Sequence, residues 1–264
     1  VFSCTSAKTA SREVVEGWGF WRGLEHYLAI FEGAGEARVV GESSTNYSKA
    51  PKMSGVPQRI VEFDPEAKLL YAMRDPVERT ISHYWHAVGQ RKERRDLITA
   101  LLEEPHYREV SHYAMQLEPY LRLFGADRVR ALTFEALIED AARELRAIFE
   151  WLGVDPGVEI EGGDLHENPT PERVERVRGE GRLDAFRDSA FWNRIGPLVP
   201  APIRRWGRGL AAERVDRSRA DVASAAEILR PFQLPETAHL GRLLGRSFEA
   251  EWTTLYGSGE DGTP

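Results

Sequence analysis

Residues 67–84, A-K-L-L-Y-A-M-R-D-P-V-E-R-T-I-S-H-Y, decide the fold. The first seven form a short apolar run, the length of a buried strand, and lead straight into Arg74-Asp75-Pro76. Asp75 can cap a helix with its carboxylate. Pro76 suits the first helical turn, where a missing N–H costs nothing, and Glu78 stands three residues after the cap. The spacing predicts a strand over 67–73 that turns into a helix reaching Gln90.

Outward from this junction the apolar periodicity alternates between strand and helix. Residues 1–4 read as a strand, followed by a polar loop through Glu16. Leu24, Tyr27, Leu28 and Phe31 sit at i, i+3, i+4, i+7 and predict a helix over 22–31. A short strand is expected at 38–42 and a helix at 56–63 through Pro57. Further along, a helix is expected at 113–124, a strand at 128–133, and a helix at 141–152 closed by Gly153. That order implies an α/β fold with a mostly parallel sheet flanked by helices. Beyond Asp155 the chain is loop-rich and dense in arginine, with no convincing strand up to Arg219. Helix signals return at 222–229 and 236–244. The expected organisation is a single domain over 1–256, with 155–256 a mostly helical extension and 257–264 a disordered tail.

Composition narrows the function classes. The chain has 264 residues, 42% hydrophobic and 29% charged, with 35 Lys+Arg against 42 Asp+Glu and a net charge of −7. This acidic balance argues against a general nucleic-acid or anionic-membrane binder, while leaving local basic pockets open. No apolar run reaches the roughly 18 residues of a membrane span, and no signal-peptide pattern opens the sequence. The single cysteine, Cys4, excludes an intrachain disulfide framework and a cysteine-built zinc site, which favours a cytoplasmic protein. The basic residues are 30 Arg and 5 Lys, a bias expected of GC-rich bacterial coding. The opening Val1-Phe2-Ser3-Cys4 reads like the middle of a strand, so residues are expected upstream of it.

In an open parallel sheet, ligands bind beyond the carboxyl ends of the strands. Arg74 sits at such an end and offers a planar fork of donors to a phosphate. Ser82, two helical turns on, adds a hydroxyl and shares a face with Glu78, Arg79, Trp85 and His86. Together they can grip one phosphate. The residues alone also allow Arg74 to pair with Asp75 or a neighbouring carboxylate while Ser82 faces solvent.

This block resembles the signature of sulfotransferases that use 3′-phosphoadenosine-5′-phosphosulfate (PAPS), in particular the bacterial type related to the heparan-sulfate branch. Other segments are similar in the same order: 21–31 (W-R-G-L-E-H-Y-L-A-I-F), 41–51 (G-E-S-S-T-N-Y-S-K-A-P), 111–121 (S-H-Y-A-M-Q-L-E-P-Y-L), 133–154, and 243–252 (L-L-G-R-S-F-E-A-E-W). The resemblance implies a P-loop NTPase-like sulfotransferase fold. It implies that Arg74 and Ser82 hold the cofactor's 3′-phosphate and that Tyr113 lies near the nucleotide, though Tyr113 read by itself is equally a core tyrosine. It also implies PAPS as donor, adenosine 3′,5′-bisphosphate (PAP) as product, and no metal. Arg79 is expected to serve the fold through a salt bridge. The i, i+3 pair His83 and His86 lacks a carboxylate at ligand spacing. Residues 90–95 (Q-R-K-E-R-R) read as a solvated helix end, with a role toward an anionic acceptor as the alternative, and Trp18, Trp21, Trp151 and Trp192 as core or rim packing.

Two family features are missing. No P-K-x-G-T-T-like loop is present to cradle the 5′-phosphosulfate. Where relatives place a base after a lysine, this chain has Lys8-Thr9-Ala10. Lys8 remains and can stabilise charge on a transferring sulfuryl group. Glu13 or Glu16 are candidate substitutes for the base, though each also reads as a solvent-exposed loop acid. Ser43 replaces an acceptor-binding lysine of some relatives. The expected function is sulfuryl transfer from PAPS to a hydroxyl or amine on a small-molecule or carbohydrate acceptor. The alternatives are a non-catalytic PAP-binding pseudoenzyme or scaffold, motivated by Thr9 and Ala10, and a nucleotide kinase, motivated by the same strand-end arginine.

Overall fold

The computed structural model describes residues 24–29, 31–90, 92–158, 173–177, 212–216 and 219–257. The expected strand at 1–4, Lys8, Thr9, Ala10, the acids Glu13 and Glu16, three of the four tryptophans and residues 258–264 lie outside them.

The organising unit is a pair of parallel strands. Strand β1 (Leu69–Met73) pairs with β2 (Val129–Thr133) in the register Leu69↔Val129 through Met73↔Thr133. Parallel strands need a long crossover, and here its described regular elements are all helices. It runs through α3 (Pro76–Gly89), α4 (Leu97–Glu103), α5 (Pro105–Glu109) and α6 (Tyr113–Phe124). Before β1 come α1 (Leu24–Ala29) and α2 (Val56–Phe63). After β2 come α7 (Phe134–Glu139) and α8 (Ala141–Leu152). Gly153, left-handed at φ 80°, ends α8 with two amide bonds: its own N–H reaches Glu150 O and that of Val154 reaches Phe149 O.

Three expectations require correction. Residues 38–42 form no strand; Val39 and Val40 stay 44% and 51% exposed. Two adjacent valines do not make a strand without a neighbour to hydrogen-bond, and among the described residues none pairs there. Within the supposedly strand-free stretch, β3 (Arg173–Val177) and β4 (Ala212–Asp216) pair antiparallel. Finally, the two expected C-terminal helices are one, α9 (Arg219–Leu244), continuous through Pro231 and Pro235. Its buried stripe of Ala226, Leu229, Gln233, Thr237 and Leu240 passes straight across the prolines. Gln233 and Thr237 are polar, which hides the stripe from apolar periodicity. Gln233 is held by donating to Arg108 O at 3.2 Å.

The core forms where α3, α6 and α9 meet. Val77, Ile81, Tyr84, Trp85 and Val88 line the inner face of α3, and Ala114, Leu117 and Tyr120 that of α6. Phe248 and Trp252 stack at 4.2 Å in the turn before α10 (Thr253–Tyr256).

Candidate functional site

The β1–α3 junction is built as its residues dictate. Asp75 caps α3, accepting from Val77 N at 2.9 Å and Glu78 N at 3.3 Å. Its other oxygen accepts from Leu255 N at 2.9 Å, so the C-terminal α10 is tied to the same carboxylate. The capping box is only half formed. The Asp75 N–H donates to Glu135 Oε1 of α7 at 2.8 Å, and Glu78 turns to Arg74 and Thr254 instead. Asp75 is buried, and burial raises its pKa above the usual carboxylate range, against the pull of three backbone donors.

Arg74 leaves the strand end with its guanidinium one-third exposed. It pairs with Glu78 at 3.4 Å and lies over the Phe134 ring at 5.5 Å. An i, i+4 pair of this length and exposure is weak, so the fork remains open to a stronger anion. Ser82 follows Glu78 by one turn on the same line of α3 and is half-buried. Tyr113 is buried at 4% exposure, and its hydroxyl accepts from Arg74 N at 3.2 Å and donates to Arg74 O at 2.8 Å. Tyr113 thus holds the main chain that carries the guanidinium. Burial raises its phenol pKa.

Around this junction the loop after Glu42 is docked onto α6. Gln116, buried at 2%, accepts from Ala50 N and donates to Ala50 O, both at 2.8 Å, and Tyr120 donates to Tyr47 O at 2.6 Å. Ser43 itself is exposed. Trp151, half-buried, donates its indole N–H to Asp127 O at 2.8 Å. Among the described residues no group of three or more His, Cys, Asp or Glu gathers as metal ligands. Among them, too, no helix is long and apolar enough to cross a membrane.

A sequence profile of the sulfotransferase family matches residues 16–157, more than half of the chain. The chain belongs to the sulfotransferase family. Its relatives include mouse heparan sulfate glucosamine 3-O-sulfotransferase 3A1, 27% identical over 144 residues, or 51% of this chain and 36% of that protein. Human heparan sulfate glucosamine 3-O-sulfotransferase 3B1 is 25% identical over 142 residues, 50% of this chain and 36% of that protein. The matched segment therefore spans about a third of these relatives. Among solved structures, a sulfotransferase from Alicyclobacillus acidocaldarius superposes with a TM-score of 0.59 at 24% identity, covering 89% of this chain and 77% of that one. The sulfotransferase fold expected from residues 67–84 is therefore the fold of this family member, an α/β arrangement around a parallel strand pair.

Two further expectations for this sulfotransferase-family chain change. Arg79 makes no ion pair among the described residues; burial, not a carboxylate, dominates its surroundings and lowers its pKa. Residues 90–95 are not simply a solvated helix end, since Glu93 is 6% exposed and organises the turn. Its carboxylate accepts from the Arg94 and Arg95 amides, the Arg95 guanidinium at 2.7 Å, and Tyr107 at 3.0 Å. Gln116 and Glu135 escape the sequence reading because each acts on main chain brought to it by packing, and Glu93 because its Tyr107 partner comes from α5, whereas the Asp75 cap is legible. The only local signal was the Asp-Pro pair.

Proposed function

We propose that this chain is a PAPS-dependent sulfotransferase that moves a sulfuryl group to a hydroxyl or amine of a small-molecule or carbohydrate acceptor. One observation carries the reading. The strand-end Arg74 and the helix residue Ser82, in the spacing of the family signature, sit on a junction locked by Asp75, Glu135 and Tyr113.

The residues at this junction suit a phosphate. Arg74 is one-third exposed, and among the described residues its guanidinium meets only Glu78 at 3.4 Å and the Phe134 ring, while its backbone is clamped from two sides. An incoming phosphate displaces Glu78 and takes the guanidinium fork. A charge-assisted, two-pronged bond replaces a long single one. Ser82 adds a hydroxyl donor from the next turn of α3. Tyr113 keeps Arg74 from swinging away, and Lys8 is assigned to steady charge near the sulfur. PAPS, when bound, supplies the sulfuryl group and a phosphate leaving group.

Arg74→Ala tests this directly. The variant is expected to lose PAP affinity, read by calorimetric titration, while keeping the parent's circular dichroism and melting temperature. Parent-like PAP binding by the variant rules the assignment out. A second reading, a PAP-binding protein without transfer activity, is favoured by Thr9 and Ala10 standing where a base is expected. PAP binding with no product across a broad acceptor panel would select it.

A further inference from the structure

Next to the Arg74–Ser82 line, α3 presents a second line one step round the helix, formed by Arg79 and His83 at i, i+4. His106 of α5 meets His83 edge-to-face at 5.5 Å, and Tyr107 meets it at 5.0 Å. Lys49 is half-buried in the docked loop, its ammonium donating to Asn46 Oδ1 at 3.1 Å and Thr45 Oγ1 at 3.4 Å, and the exposed Lys52 and Lys92 add positive charge around it.

Among the described residues the cluster is short of negative charge. Burial is the first cause lowering the Lys49 pKa, followed by Arg79, Lys52 and Lys92. Burial also pushes the His83 imidazole down to about 3, with Arg79, His106, Lys49 and His86 adding to it. His106 is pushed down to about 4 by burial and then by Lys52 and Lys49. Among the described groups acting on Lys49, Arg79, His83 and His106, Glu104 is the only carboxylate, and at His106 it ranks behind both lysines. Three buried polar atoms of the cluster have no hydrogen-bond partner among the described residues: Arg79 Nη1, His83 Nδ1 and His106 Nδ1. Buried donors and positive charge left this way are costly, and an anion relieves both costs at once.

We propose that Arg79, His83, His106 and Lys49 form an oxyanion site at the junction of α3, α5 and the loop 45–52, distinct from the Arg74–Ser82 grip. The Arg79 guanidinium donates to the anion through Nη1. Each imidazole donates through Nδ1 when that nitrogen carries the proton, and Lys49 supplies a further positive charge. The shared ligand chemistry is a sulfate, phosphate or carboxylate, either as a free inorganic ion or as an anionic group on an acceptor. The site does not depend on the cofactor reading, so the two fail separately.

The test follows the imidazole resonances of His83 and His106 by NMR on the full chain, titrated with sodium sulfate against sodium chloride at matched ionic strength. Sulfate is expected to shift both rings saturably and to raise their titration midpoints by about one unit, a tenfold preference for the protonated rings. Lys49→Gln should weaken sulfate binding several-fold while leaving calorimetric PAP affinity unchanged. Saturating PAP should leave the sulfate response intact. A response no larger than that to chloride, or one abolished by PAP, overturns the proposal. Repeating the titration with methyl glucuronoside and N-sulfoglucosamine separates the sources. Binding tighter than inorganic sulfate identifies an acceptor group, and weaker binding a free ion.

Discussion

The Tyr113 hydroxyl bonds both polar groups of the Arg74 peptide, accepting from its N–H at 3.2 Å and donating to its carbonyl at 2.8 Å. A residue 39 positions along the chain thereby sets where the β1 strand ends and where its arginine points. The clasp links packing to function: α6 docks in the core, and the docked helix fixes the side chain assigned to phosphate.

Tyr113→Phe keeps the ring and removes both bonds, leaving the Arg74 amide without its partner. The expected loss is about 1–3 kcal/mol of stability, the cost of an unpaired buried donor. PAP affinity should fall as well, because Arg74 loses its anchor. Thermal melts and PAP calorimetry on the same preparation read the two effects side by side.

Glu93 gives a stability term with a defined pH window. Burial alone would raise its pKa, but hydrogen bonds from the Arg95 side chain, the Arg95 and Arg94 amides and Tyr107 bring it down to about 2. A depressed carboxylate stabilises the fold above its ordinary value of 4.5, and that contribution is lost as the pH falls toward 2. Glu93→Gln should cost about 2 kcal/mol at pH 7, below the cost of breaking a fully buried pair because Arg95 is partly solvated. It should also flatten the acid limb of the urea-unfolding profile below pH 4.5.

His83 and His106 act at higher pH. Both imidazoles have folded values below 6.5, at about 3 and about 4. As the pH falls from 6.5 the unfolded chain takes up protons that the folded chain refuses, so stability declines through that window. The double substitution His83→Gln with His106→Gln should remove most of the decline between pH 6.5 and 4 in a series of melts.

Two glycines in helices should respond to alanine with opposite signs. A Cβ at Gly241 would stand 2.8 Å from the Arg246 carbonyl oxygen, where the chain closes on α9 through the Arg246 N–H to Gly241 O bond. A Cβ at Gly89 meets nothing within 4 Å. Gly241→Ala should lower the melting temperature, whereas Gly89→Ala should gain up to about 1 kcal/mol from helix propensity.

The sequence by itself determined the local punctuation of this protein and the family signature. The Asp75-Pro76 start of α3, the span of α2, the run of α6 from Tyr113 to Phe124 and the Gly153 stop of α8 all follow from caps, periodicity and left-handed glycine, which act over a few residues. Tertiary structure decided what depends on partners distant in the chain. Val39 and Val40 have strand propensity but no strand beside them among the described residues, and α9 crosses two prolines with its polar Gln233 and Thr237 buried in the stripe. Likewise, Arg79 reads as half of a salt bridge, yet packing surrounds it with tyrosines, imidazoles and a lysine. Which charges meet, and which are left facing one another without a counter-ion, is set by how helices distant in sequence dock. No spacing along the chain encodes that.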